Sequence, residues 1–338
     1  MLTPKERLLA KLNGRKTDRP PVICTGGMMN AAIVEIMQQS GHTLPEAHTD
    51  AALMADLAGA IYEQTGFENI GIPFCMTVEA EVLGSDVTYG TLECEPKITR
   101  ELFAAPRDVT PKNIAAMLAD GRIATVVAAA DLLAKRYPDV PVIGNITGPV
   151  SAAASLVDPV ELLKQYRKDP AECHRVMRYI SDLLIAFARQ MAESGVNAIS
   201  IGDPTATGEI LGPKIFREFA AFYLNQVIDA LHASDIPVIV HICGNMNTVR
   251  PQLPTLHANA ISTDAMVNLK QLKTDFPEIT TMGNLSTYLL ELGSAAQVAE
   301  QTRRLVADGI DIISPACGLS TSTSLELIRA MTGSVKEG

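Results

Sequence analysis

Tryptophan is absent from the 338 residues, and aromatic side chains make up only 4% of them. Base-stacking platforms of the kind that hold single-stranded nucleic acid are therefore not expected. Runs of lysine and arginine are also missing, and the net charge is −10. That balance argues against a phosphate-backbone footprint and against an anionic membrane surface. No apolar stretch approaches the length of a membrane span. The opening Met1–Ala10 has neither an apolar core nor a small-residue cleavage site, so no secretory leader is expected. The six cysteines (Cys24, Cys75, Cys94, Cys173, Cys243 and Cys317) are scattered and do not form a disulfide framework. They predict a reducing compartment, the cytoplasm, with thiols free to bind metal. No linker rich in Pro, Gly or Ser divides the chain, and there is no short repeat or low-complexity tract. Residues 1–338 read as one domain.

What is present is an alternation. Thr3 caps a short helix that runs to Leu12 and stops at Gly14. Strand-like runs then recur, each ending in a glycine or polar cluster: Val22-Ile-Cys24, Asn69–Cys75, Val140–Asn145, Ala198–Asp203, the run Pro237–Asn245, Ala260–Asp264, Thr280–Asn284 and the run Ile310–Gly318. Helical segments are predicted at 30–39, 50–65, 120–137, 159–167, from 170 to about Gly195, 213–232, 295–307 and 324–331. A polar insertion over 84–110 carries a small hairpin around Val87–Leu92. Repeated strand–helix alternation predicts a parallel sheet. Eight such units predict an α/β fold of the (β/α)8 TIM-barrel type, with its strands between about 21 and 318, a short N-terminal helical extension and a small insertion after the second strand. Function then belongs at the C-terminal ends of the strands.

Two of those ends carry chemistry. Pro237-Val-Ile-Val-His-Ile-Cys-Gly-Asn245 is a buried strand that runs out at its glycine, and residues i and i+2 face the same way. His241 and Cys243 are thus a ready pair of ligands for a zinc-like metal. Ile310–Gly318 ends in the same manner, with Cys317 before its glycine. In one parallel barrel all three groups share a rim, and three protein ligands leave a position open, as in catalytic zinc sites. Weaker candidates at other strand ends are Cys24, Cys75, Glu79, Glu81, Asp203, Asn145 and Asn284. His48 reads as a helix cap.

His241-Ile-Cys-Gly-Asn245, the distant Pro315-Ala-Cys-Gly318, the opening Glu6–Gly14 and Asp18-Arg-Pro-Pro-Val22 together resemble the uroporphyrinogen decarboxylase superfamily. Within it, Leu44–Asp50, Pro73–Glu81 and Ile201-Gly-Asp-Pro204 look like the methylcobamide:coenzyme M methyltransferase branch. The resemblance spans nearly the whole chain.

That resemblance implies a zinc enzyme in which His241, Cys243 and Cys317 hold Zn2+ and activate a small thiol. The thiol exchanges a methyl group with a corrinoid supplied by a partner protein. Asp264, at the end of the sixth strand, is either a fourth ligand or a loop-capping carboxylate. Substrate contacts are expected from Asn145, Asp203, Asn245, Asn284 and Glu81. Coenzyme M leads as acceptor, with its sulfonate on the amides around Ser322–Ser324. The loop Gly26–Asn30 departs from the branch, which bears on the acceptor's identity. Two other readings are a uroporphyrinogen decarboxylase and a corrinoid-dependent demethylase with a different donor or acceptor. The decarboxylase's polycarboxylate substrate calls for arginines near the first-strand loop, and none occurs between Arg19 and Arg100. A non-catalytic metal-binding barrel is the third alternative.

Overall fold

Seven parallel strands form a curled sheet in the order β1 (Ile70–Ile72), β4 (Val142–Thr147), β5 (Ala198–Gly202), β6 (Val238–Ile242), β7 (Ala260–Thr263), β8 (Thr281–Leu285) and β9 (Ile312–Pro315). This is a computed structural model that describes residues 2–119 and 121–337. β4 and β6 are buried at every position, as expected for parallel strands covered on both faces. The sheet is closed into the (β/α)8 barrel by Pro21–Cys24. Ile23 N–H donates to Ile313 O and Ile313 N–H to Pro21 O, both at 2.9 Å, and on the other side Glu68 N–H donates to Val22 O at 2.8 Å.

This closing segment differs from the expected first strand. It forms a single bridge, Val22 to Ile313, and not a ladder. Pro20 and Pro21 have no N–H to donate. Toward β1 the backbones approach too closely for side chains: a Cβ on Gly71 would lie 2.1 Å from Thr25 O. The Asn69 side chain replaces the missing ladder, accepting from Cys24 N–H and donating to Cys24 O, each at 2.8 Å. The expected second strand is also cut short, ending at Ile72 because Pro73 cannot donate.

The insertion does contain a hairpin, β2 (Asp86–Thr88) with β3 (Lys97–Arg100), but the return strand falls later than the sequence suggested. Its tip, Thr91–Cys94, closes on itself through reciprocal backbone hydrogen bonds. Several helices lie outside the expected set, among them Val78–Leu83, Ile114–Leu118, Pro149–Leu156, Leu269–Asp275 and Thr287–Leu292. Val78–Leu83 is a single short stretch, and Pro149–Leu156 is buried at six of its eight positions, so neither displays an amphipathic period. The first post-strand helix starts at Val34 and not Asn30, because the Asn30 carboxamide turns the chain by accepting from Ala32 N–H at 3.0 Å. The predicted helix at 120–137 spans Gly121–Arg136; Asp120 lies outside the described residues. The helix expected from Pro213 is entered through a kink at Gly212 and a π-helical stretch, Phe216–Ala221, before Phe222–His232. Helix Ala295–Ala307 has the predicted bounds and a Ser294–Gln297 capping box. No described helix is long and apolar enough to cross a membrane.

The N-terminal helix, Pro4–Leu12, is fastened under the barrel by buried charge. Arg7 donates to Glu68 at 2.6 Å and, with two nitrogens, to both oxygens of Asp18 at 2.8 and 3.0 Å. Arg19 donates to both oxygens of Glu68 at 2.7 Å, and Val22 N–H donates to the same carboxylate at 3.1 Å. Arg7 and Glu68 are 2% and 3% exposed, so neither can fall back on water.

Candidate metal centre

β6 and β9 bring their ends to the same rim. The Nε2 of His241 lies 3.0 Å from the Cys243 sulfur, which is 3.0 Å from the Cys317 sulfur. The three donor atoms all fall within 4.8 Å of one another. His241 is buried and the two cysteines half-buried, so the group sits under the mouth with one side toward solvent. In the strand register His241 pairs with Ser262 of β7, and its Nδ1 lies 2.9 Å from Ser262 Oγ. That contact fixes the ring and leaves Nε2 facing the sulfurs.

The Cys243 thiol hydrogen-bonds the Cys317 sulfur and pulls that thiol below its ordinary value, with His241 assisting against burial. The same contact, together with burial, pushes Cys243 far up. The pair therefore gives up one proton readily and retains the second, because two adjacent thiolates repel. A bound cation is what would let both ionise.

Asp264 stands beside this group, and its charge helps to push Cys243 up. Its two oxygens are engaged elsewhere. One accepts from Gly244 N–H at 3.4 Å and the other from Met266 N–H at 3.0 Å, so it braces the backbone after Cys243.

The other expected contacts are mostly spent within the protein. Asn145 donates to Thr25 O at 2.5 Å and Ile72 O at 3.1 Å, tying the closing segment to β1. Asn284 donates to Asp264 O and Val267 O, each at 2.8 Å. Asn245 closes its own turn by accepting from Asn247 N–H at 2.9 Å. Glu81 accepts from Tyr89 O–H at 2.5 Å and pairs with Arg122 at 3.2 Å. Glu79 is buried and takes both Thr147 N–H and O–H, at 2.8 and 2.9 Å. The Cys24 thiol donates to Met29 O at 2.6 Å, and burial pushes it up to about 12. His48 caps nothing: Asp50 caps the following helix. The His48 ring is fully buried without a partner for either nitrogen, and burial beside Arg122 pushes it down to about 3. Two of the amides expected to receive an anion after the last strand are turned inward: Ser322 N–H donates to Ser320 Oγ at 3.4 Å and Thr323 N–H to Ser320 O at 3.0 Å. Leu325 N–H donates to Glu35 at 3.0 Å, and Ser322 O–H to Glu291 at 2.8 Å.

Asp203 is fully buried and accepts from Val150 N–H at 3.1 Å, Ser151 N–H at 2.8 Å and Ser151 O–H at 2.6 Å, capping helix Pro149–Leu156. Burial pushes its carboxyl up to about 6 in spite of those donors. A carboxyl raised above its unfolded value of about 3.9 contributes stability that is complete below about pH 4 and is lost as pH rises through about 6. Urea midpoints of the protein and of Asp203→Asn are therefore expected to differ more in the parent's favour at pH 4.5 than at pH 7 (roughly bracketing the shift). A pH-independent difference would contradict this account.

Four residues of the site were not singled out from sequence. Ser262 is a lone hydroxyl in an apolar strand, a weak signal. Arg122 sits in a helix and gives no signal, yet its buried guanidinium donates to Cys75 Sγ at 2.7 Å and Thr77 Oγ1 at 2.8 Å. Cys75 and His241 line the same narrow cavity with Met28, Met29 and Met76. Met28 places its thioether sulfur 3.9 Å from the Cys243 sulfur. Glu95, from the insertion, reaches over Asn30 at 3.4 Å; burial raises its carboxyl, and the Cys317 charge adds to that.

A closed parallel barrel with a nitrogen–sulfur donor group at the C-terminal ends of its strands defines the class of protein. The chain belongs to the uroporphyrinogen decarboxylase (URO-D) family, which matches residues 3–338. It is 31% identical over 339 residues to the methylcobamide:CoM methyltransferase MtbA of Methanosarcina acetivorans, covering 99% of this chain and 98% of that one. Identity to the methylcobamide:CoM methyltransferase MtaA of Methanosarcina barkeri is also 31%, over 345 residues, with the same coverage. A solved methyltransferase from Methanosarcina mazei superposes with a TM-score of 0.93 at 29% identity, covering 100% of this chain and 99% of the other.

Proposed function

We propose that this protein is a methyltransferase that moves a methyl group between a corrinoid and a small thiol, with His241, Cys243 and Cys317 holding a zinc ion. The observation that carries the reading is the closeness of those three donor atoms on a chain similar end to end to methylcobamide:CoM methyltransferases. One imidazole and two cysteine sulfurs suit zinc over magnesium or calcium, and a three-residue set leaves room for a substrate sulfur. Zinc bound there supplies the charge that lets a thiol lose its proton near neutral pH.

The chain's own residues do the positioning. A proton on His241 Nδ1, donated to Ser262 Oγ, keeps the Nε2 lone pair directed at the ion. Asp264 holds Gly244 and so the carbonyl-to-sulfur geometry of Cys243. Met28, Met29 and Met76 exclude water from the cavity beside His241. The corrinoid is carried by a partner protein that covers the mouth, and the protein acts as a single-domain barrel in the cytoplasm.

The test is demethylation of methylcobalamin by the purified protein with a panel of thiols, alongside metal analysis. About one zinc per chain and thiol-dependent loss of the corrinoid methyl signal are expected. Full activity without zinc would sink the metal assignment, and no turnover with any thiol would sink the reaction. Ser262→Ala is expected to lower zinc affinity about 10–100-fold, with recovery in Ser262→Thr, as outer partners of metal ligands do. Chelator competition reads this directly; an unchanged affinity removes Ser262 from the account.

A further inference from the structure

We propose that the acceptor thiol carries an uncharged or cationic tail, selected by a rim whose strand-end loops carry no lysine or arginine and over which Glu95 and Asp264 are held. This rests on the thiol-acceptor reading above and names the class of thiol.

The first observation is one of sequence placed on the fold. Residues 25–33, 73–77, 203–207, 243–249, 264–268 and 316–324 connect strand ends to the helical segments that follow, with Gly148 and Ser286 making the two shortest links. None of these stretches contains a lysine or an arginine. A small anionic tail bound within reach of Cys243 and Cys317 has no cation in the loops that carry those residues.

Several of the neutral donors that might replace a cation are occupied. The amide at the start of helix Leu325–Lys336 already serves the Glu35 carboxylate, and the Ser322 hydroxyl serves Glu291. Asn284 spends its amide nitrogen on two backbone carbonyls. The one buried guanidinium in the neighbourhood, Arg122, faces Cys75, Thr77 and Glu81 and lies 3% exposed.

What does approach the site is negative. Asp264 is anchored on Gly244, the residue after Cys243. The insertion hairpin is seated on the loop that follows Cys317, where the Thr321 hydroxyl donates to Glu93 O at 2.9 Å. That contact and Asn30 hold Glu95 over the mouth. The exposed Lys97 is the cation whose charge reaches Glu95, and it stands on β3. Met28 adds a soft, polarizable wall beside Cys243, which suits a neutral or cationic organic group.

Three thiols of similar size separate the possibilities: coenzyme M, 2-mercaptoethanol and 2-aminoethanethiol. Their KM values with methylcobalamin as donor, and their affinities by isothermal titration calorimetry on the zinc-loaded protein, are the readouts. Coenzyme M is expected to bind about tenfold more weakly than either of the others, the size of one like-charge contact at a partly screened site. Glu95→Gln is expected to narrow that gap by lowering the coenzyme M KM and raising that of 2-aminoethanethiol, with 2-mercaptoethanol unmoved; a merely structural role would shift all three together. Should Glu95→Gln fold poorly, the gap between coenzyme M and 2-aminoethanethiol is read against ionic strength, where it is expected to narrow as salt rises while 2-mercaptoethanol stays unmoved. Coenzyme M binding as well as or better than 2-mercaptoethanol overturns the inference, decisively so if Lys97→Gln abolishes the preference, and leaves methyl transfer to thiols standing. Turnover with none of the three overturns the reaction and the inference together.

Discussion

Cys317→Ser protein is expected to purify folded, nearly free of zinc and without methyl-transfer activity. The side chain lies at the mouth, two residues beyond the end of β9, and is half-buried, so its removal takes little from the core. Its chemical loss is large. The Cys317 thiol is drawn toward its ionised form by the hydrogen bond from Cys243 and by His241. A serine hydroxyl does not ionise near neutral pH and is a hard donor, so the ion loses a negative charge and a soft ligand together. Zinc affinity is expected to fall by more than about 100-fold, beyond the range seen when only outer partners are removed. Metal content after dialysis against a weak chelator reads this. Thermal unfolding of the two metal-free proteins should coincide; a variant that keeps its zinc would remove Cys317 from the ligand set.

Glu68→Ala is expected to be the costliest single change in the scaffold, at about 3–5 kcal/mol, the usual penalty for stranding a buried charge. Glu68 receives Arg7, Arg19 and Val22 N–H, and Arg7 is 2% exposed, so its guanidinium would keep only Asp18 and Leu2 O as partners. Asp18 is held well below the usual carboxylate range by Arg7. A depressed carboxylate contributes stability that is complete above its unfolded value, about 3.9, and fades as pH falls below it. Urea unfolding at neutral pH measures the loss. A cost under about 1 kcal/mol would mean that the cluster behaves like a surface pair.

The barrel was legible because its strands are short apolar runs that stop at glycine or a polar residue, and because helices such as Ala295–Ala307 carry their own caps. Within the closing segment, Val22–Cys24 reads as an ordinary first strand, since sequence shows neither the backbone contact at Gly71 nor the side-chain ladder from Asn69. The three metal-ligand candidates were legible as well: strand alternation and a shared rim suffice to bring His241, Cys243 and Cys317 together. The residues around them were not. Asn145, Asn284 and Asp203 are polar groups at strand ends, which reads equally well as substrate contact or as internal bracing. Only the partners decide, and those partners lie between 17 and 120 positions away. Near Ser322–Ser324 the sequence likewise shows neither Ser320, which takes two of the amides there, nor Glu35, which reaches Leu325 N–H from 290 positions off.

Closing the barrel by pairing Val22 with Ile313 also sets an order of events. A chain leaving the ribosome exposes its Pro21–Cys24 segment early, and the β9 edge it needs is made 291 residues later (313 − 22). At 5–20 residues per second that interval is roughly 15–60 s. Throughout it, whatever part of the sheet has been made lacks its closing partner, and an unpaired strand edge is the form most exposed to wrong partners. The charged cluster around Glu68 draws only on residues before position 69, so it can assemble at once and keep the waiting segment folded against β1. Its burial thus matters to how the chain is synthesised as well as to how stable the finished molecule is.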